Sequence, residues 1–110
     1  FLTYTDISFK NLCSEVIDMC EEMETTMKSS SKEENFKNAM DIYDLIQDKG
    51  KFAAIYINHV DYDVMLNEAL KLTVYIENDD PSESEASLHL LKSSTEHMKK
   101  LQVPNIENIF

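Results

Sequence analysis

Asn78-Asp79-Asp80-Pro81-Ser82-Glu83 is the sharpest punctuation in the chain. An Asp at the N-cap accepts a hydrogen bond from a helix's first unpaired N–H groups, and Pro at the first helical position sacrifices no backbone bond. A Glu at the third position sits favourably at the positive end of the helix dipole. These residues therefore close one helix near Asn78 and open another at Pro81. Upstream, Tyr62, Met65, Leu66, Ala69, Leu72, Thr73 and Ile76 recur at steps of three and four, which predicts a helix over 62–78. His59-Val60-Asp61 reads as a short turn before it, with Asp61 as its cap. Downstream, Ala86, Leu88, Leu90, Leu91, Met98 and Leu101 give a broad apolar face over 81–100, interrupted by Ser94 and His97. Lys99 and Lys100 complement the dipole at its far end.

Working further outward, Phe9, Leu12, Cys13, Val16, Cys20, Met23 and Met27 form one apolar stripe, predicting a helix over about 8–29 with a cap at Thr5, Asp6 or Ser8. Asp18, Glu21, Glu22 and Glu24 fall on its other side as a solvated acidic face. Ser29-Ser30-Ser31 breaks the pattern, and Ser30 or Ser31 followed by Glu33 and Glu34 resembles a capping box. The next stripe, Phe36, Ala39, Met40, Tyr43, Ile46, Ala53 and Ile57, predicts a helix over 33–58. Gly50 lies on it, either as a point of close approach or kink, or as a C-cap in Asp48-Lys49-Gly50 where the helix breaks. Pro104 is expected to end the last helix. Val103, Ile106, Ile109 and Phe110 make the tail, residues 102–110, too apolar to hang free, so it is expected to fold back on the bundle.

Four helices joined by short connections favour antiparallel neighbours, so the expected architecture is all-α: a single domain, 1–110, folded as an up-down bundle. With 110 residues, 43% apolar, the chain supports one real core. One Gly and two Pro cannot supply the turns of an all-β fold. The net charge of −11, with no stripe of Lys or Arg, argues against nucleic acid and against direct contact with an anionic membrane surface. Cys13 and Cys20, seven residues apart, lie about 10 Å apart along a helix, beyond the roughly 7 Å that a disulfide spans. Free, buried thiols are expected.

Candidate chemistry concentrates at one end of the second hairpin. A turn at 79–80 places residues whose numbers sum to about 159 at one height, so 62 pairs with 97. His59 then approaches His97, with Asp61 and Asn58 nearby. Two imidazoles and a carboxylate are zinc-type ligands, which makes His59, His97 and Asp61 a candidate metal or pH-responsive site. The competing reading is a structural polar plug, in which Asn58, His59, His97 and Asn105 satisfy backbone groups at helix ends. The plug requires fewer assumptions. Asp61-x-Asp63 opens like a calcium loop, but Leu66 and Leu72 stand where that loop needs Gly and Glu. A single Gly cannot build a phosphate loop. No acid, base and nucleophile converge, so no enzyme and no cofactor are expected. A binding module would expose an apolar patch, with Tyr4, Met23 and Met27 as candidates.

Tyr56-Ile57-Asn58-His59, Ala69-Leu70-Lys71-Leu72, Tyr75-Ile76, Glu96-His97 and the closing Asn105-Ile106-Glu107-Asn108-Ile109-Phe110 resemble a bacterial domain-of-unknown-function family of small, single-pass membrane-anchored proteins. The resemblance covers roughly residues 52–110. It implies an anchor upstream of Phe1 and a helical domain outside the cytoplasmic membrane; the role expected of such a bundle is action through protein contacts or as an accessory to a membrane partner. It implies no reaction, and hence no catalytic residues.

Overall fold

A computed structural model describes the backbone of residues 4–53 and 59–108 and the side-chain surroundings of 9–49 and 62–100. Four helices follow one another: α1 (Tyr4–Thr26), α2 (Lys32–Ala53), α3 (His59–Glu77) and α4 (Pro81–Asn108). α1 packs on α2 and α4, and α3 packs on the same two, while among the described residues the backbones of the diagonal pairs do not come close. This is a four-helix ring of antiparallel neighbours, 48 × 21 × 18 Å overall. The all-α bundle expected from the apolar periodicity is the fold.

The two connections at one end are built by local hydrogen bonds. Ser31 caps α2, its Oγ accepting the Glu34 N–H at 3.1 Å. Asp80 caps α4, its Oδ1 accepting the Glu83 N–H at 3.2 Å. Before it, Asp79 adopts a left-handed φ of 56°. The Asp80 N–H reaches back to the Tyr75 carbonyl (3.0 Å) and the Asp79 N–H to the Ile76 carbonyl (3.1 Å). This is the Schellman closure of α3, and it usually carries Gly at the left-handed position. Asp80 thus seals the end of one helix with its backbone and the start of the next with its side chain. The hairpin has no slack in which to slide.

Several boundaries differ from the sequence expectation. α3 begins at His59, so His59-Val60-Asp61 is its first turn and Asp61 is not its cap. Nothing in that tripeptide forbids helix, and an acidic residue in a first turn suits the dipole. α2 runs unbroken through Gly50 to Ala53, as the continuous reading held; the proposed extension over 54–58 lies outside the described residues. The Tyr62 hydroxyl donates to the Ile46 carbonyl at 3.3 Å, tying α3 to α2 one turn before that glycine. α4 continues through Pro104 to Asn108, so residues 102–108 extend the helix and do not form a separate segment folded back. Proline removes one rung of the hydrogen-bond ladder and bends a helix, but flanking turns can persist on either side.

The core is drawn from all four helices: Phe9, Leu12, Cys13, Val16, Cys20 and Met23 from α1; Ala39, Ile42 and Ile46 from α2; Met65, Ala69, Leu72 and Ile76 from α3; Leu88, Leu91 and Met98 from α4. The stripe read on α1 is the one that is buried, with Met27 partly so. Met23 therefore belongs to the core and not to an exposed patch. On α2 the buried line runs through Asn35, Ala39, Ile42 and Ile46, and Phe36 and Tyr43 flank it. On α4 the register differs from the expected face: Ala86 and Leu90 are exposed, whereas Ser84, Ser87 and Thr95 are buried. Ser84 Oγ donates to the Asp80 carbonyl and Thr95 Oγ1 to the Leu91 carbonyl, each at 2.7 Å. A hydroxyl that bonds its own helix can be buried without an orphaned donor.

Candidate functional site

The residues singled out at the far end of the second hairpin fare unequally. His59 is the first residue of α3, Asp61 the third, and Asn105 lies in the last turns of α4. Their side chains, and Asn58 altogether, lie outside the described residues. His97 is described, and it is exposed on α4, next to the buried Met98. Among the described residues no group of three or more His, Cys, Asp or Glu side chains is placed to hold a metal ion. The exposure of His97 follows from the register of α4, which turns the 84, 87, 88, 91, 95 and 98 line inward.

The structure gathers polar chemistry in two other places. The first is the seam between α1 and α4. Glu24 Oε2 lies 2.6 Å from His89 Nδ1, and Glu24 Oε1 lies 3.0 Å from Lys92 Nζ. Glu21 approaches the same ammonium at 3.5 Å. The hydrogen bond from Lys92 to Glu24 raises the lysine's pKa. Glu24 is therefore not part of a freely solvated acidic face: its side chain is only 20% exposed and its carboxylate bridges the His89 imidazole and the Lys92 ammonium of the neighbouring helix. The network lies near Cys20, whose pKa is pushed up to about 12, first by burial and next by the negative charge of Glu24. Cys13, deeper along α1, is raised to about 12 by burial. Both thiols are free. They stay protonated at neutral pH and are inert as nucleophiles.

The second place is the end that carries the two tight connections. Lys32, at the start of α2, pairs with Asp79 in the α3–α4 turn at 3.2 Å. Lys28, just after α1, lies 3.5 Å from Glu85 on α4. Between them opens a cleft of about 330 Å³ with Met27, Ile76 and Pro81 as its apolar wall. Asn35 lines it and is 92% buried, from an exposure of 8%. Its Nδ2 donates to the Met27 carbonyl at 2.9 Å, while its Oδ1 is buried without a hydrogen-bond partner.

Sequence reasoning passed over both groupings. Asn35 was within reach: it stands four residues before Ala39 and seven before Ile42, so a stripe drawn through Ile42 puts a polar amide on the core line. The Glu24, His89 and Lys92 contact was not, because it depends on how far α4 is rotated about its own axis.

The model of a domain of unknown function, DUF4363, matches residues 3–109. The chain belongs to that family. The match takes in α1 and α2 as well as the hairpin whose motifs carried the resemblance. No curated protein and no solved structure matches. Membership in DUF4363 brings no reaction with it. Among the described residues, no helix of this DUF4363 chain is long and apolar enough to cross a membrane.

Proposed function

We propose that this DUF4363 chain is a non-enzymatic helical domain of a bacterial membrane-anchored protein, held on the extracytoplasmic side and working through protein contacts or as accessory to a membrane partner. The observation that carries the reading is the outward side of α3. Val64, Leu70 and Val74 are exposed there, and they are three of the four large apolar side chains exposed among the described residues. The fourth is Leu90, on the adjoining helix α4. Apolar side chains of this size left open to water on one helix are what a protein contact covers.

Two further features support it. Burial keeps both thiols protonated, which withdraws the strongest nucleophiles in the chain from chemistry at neutral pH. The net charge of −11 holds the bundle away from an anionic lipid surface, so the anchor alone, lying upstream, would attach it.

The test uses the full-length protein, tagged at its C-terminus, in intact bacteria. A photocrosslinking residue at Leu70 or Val74 is expected to give a discrete adduct with a protein partner, whereas one at Glu33 gives none. Protease added outside the inner membrane is expected to remove the tag. Protection of the tag until the inner membrane is lysed would rule out the extracytoplasmic placement. Adducts that are no more specific from Leu70 than from Glu33 would rule out α3 as the contact face.

A further inference from the structure

The four helices turn unlike faces to the solvent. On each of them a line of exposed residues recurs at steps of three and four, away from the buried line. On α1 it is Asn11, Glu15, Asp18 and Glu22, and on α2 it is Glu34, Lys37, Asp41, Asp44 and Asp48. On α3 it is Val64, Asn67, Lys71 and Val74, and on α4 it is Ala86, Leu90, Ser93 and His97. Because α1 packs on α2 and α3 packs on α4, the bundle has one acidic side and one side whose two outer lines carry no carboxylate. In a chain of net charge −11, that second side is where another acidic body meets no like charge.

The order of residues along those two lines narrows the partner. Residues of α3 and α4 whose numbers sum to about 159 lie at one height, which sets position 69 level with position 90. A two-fold axis crossing both helices at that height, in the plane of the contact, lays each helix antiparallel on its own image. Val64 then falls over Val74 of a second copy, Asn67 over Lys71, and Leu90 over Leu90. Ala86 falls near Ser93, and Glu83, exposed at one end of the face, falls over His97 at the other. Apolar meets apolar, small meets small, an amide meets an ammonium, and a carboxylate meets an imidazole. Lines that complement themselves when reversed are what an isologous contact requires. A basic partner, by contrast, is drawn to the acidic side formed by α1 and α2 and finds no carboxylate on these two lines.

We propose that two copies of this chain associate through the α3–α4 side, antiparallel about that two-fold axis. The proposal rests on the reading of α3 as a contact face and names the partner that covers it. Few large apolar side chains take part, so the contact is small and its occupancy depends on concentration.

The test is disulfide trapping between full-length chains in cells that express two copies with different C-terminal tags. Lysed cells are oxidised with copper phenanthroline, quenched with N-ethylmaleimide and resolved on non-reducing gels. Cys13 and Cys20 are buried, so the parent supplies the background. Leu90→Cys is expected to give a dimer by itself. Val64→Cys in one copy and Val74→Cys in the other are expected to give a dimer carrying both tags. Either of these alone should give little, because each residue lies about 15 Å from its own image, beyond the reach of a disulfide. Asp41→Cys, on the outer line of α2, should stay at background. Leu90→Glu, added to both chains of the Val64→Cys and Val74→Cys pair, should remove most of the mixed dimer by setting two carboxylates against each other at the axis.

The proposal is overturned if Leu90→Cys gives no more dimer than Asp41→Cys, if the mixed pair gives no more than its members alone, or if Leu90→Glu leaves the mixed dimer unchanged. A photocrosslink from Val74 to a different protein, with no dimer from Leu90→Cys, would overturn the second copy as partner and leave α3 as a contact face. The absence of both products would overturn the two readings together.

Discussion

α1 and α4 lie side by side, yet they fill the bundle by different means. The buried line of α1 is Phe9, Leu12, Cys13, Val16, Cys20 and Met23, apolar throughout. Of the six buried positions described on α4, three are hydroxyl residues, Ser84, Ser87 and Thr95, while Leu90 on the same helix is 55% exposed. The difference shows that a helix is not turned inward by hydrophobicity alone. Side-chain volume decides as well, because interiors are packed to near-crystalline density. Small residues let α4 sit close, and two of its buried hydroxyls are satisfied on their own backbone carbonyls at 2.7 Å. Leu90 is the residue displaced.

The largest expected separation between the two helices is alkaline. Burial raises both thiols of α1 from about 9.0 to about 12. Below pH 9.0 they are neutral whether the chain is folded or not. Between there and about 12 the unfolded chain gives up its thiol protons and the native state retains them. Stability is then fully present below pH 9.0 and declines as pH climbs toward 12, at roughly 1 kcal/mol per pH unit for each thiol. Tyr62, raised first by burial, and Lys92, raised first by Glu24, act in the same direction. Denaturant unfolding across this range is expected to show the decline, and a Cys13→Ala, Cys20→Ala double variant should show a shallower one. The hydroxyls of α4 do not titrate there and should add nothing to the slope.

Truncation comes next. Leu12→Ala removes a buried side chain from the all-apolar line and is expected to cost about 2–5 kcal/mol, measured by urea or thermal unfolding. On α4 the damaging change is enlargement: Ser87→Leu, which raises hydrophobicity at a core position, is expected to destabilise by about 1–3 kcal/mol through overpacking. A gain in stability from that substitution would mean that volume does not hold the register. The smallest effect is expected at the histidines. A thermal melt with added Zn²⁺ and one with EDTA should share a midpoint with the untreated protein, and a rise of several degrees with Zn²⁺ would instead support His59, His97 and Asp61 as a metal site.

The same contrast marks what could be read from the residues. α1 was legible because its apolar residues keep the helical period without interruption. The α3–α4 turn was legible because Asp80 and Pro81 are chemically committed to a helix start, and the hydrogen bond from Glu83 to Asp80 bears this out. The rotation of α4 was not, since Ser84, Ser87 and Thr95 score as surface residues by type and Leu90 as core. Nor was the start of α3, where His59-Val60-Asp61 carries no residue that compels or forbids a helix. Of the two polar groupings, Asn35 was visible in outline once Ile42 is taken as core. The bridge from Glu24 to His89 and Lys92 joins helices far apart in sequence, and no local pattern encodes it.

Two adjacent leucines put the register of α4 to its most direct test. Leu90 is 55% exposed and Leu91 is fully buried. Lysine is substituted at each in turn, and thermal unfolding is followed by circular dichroism. Leu90→Lys is expected to melt within a few degrees of the parent, and Leu91→Lys to be unfolded or destabilised by more than about 3 kcal/mol, since a charge would be buried without a partner. Equal losses at the two positions, or the larger loss at Leu90, would contradict the inward line of Ser84, Ser87, Leu88, Leu91, Thr95 and Met98.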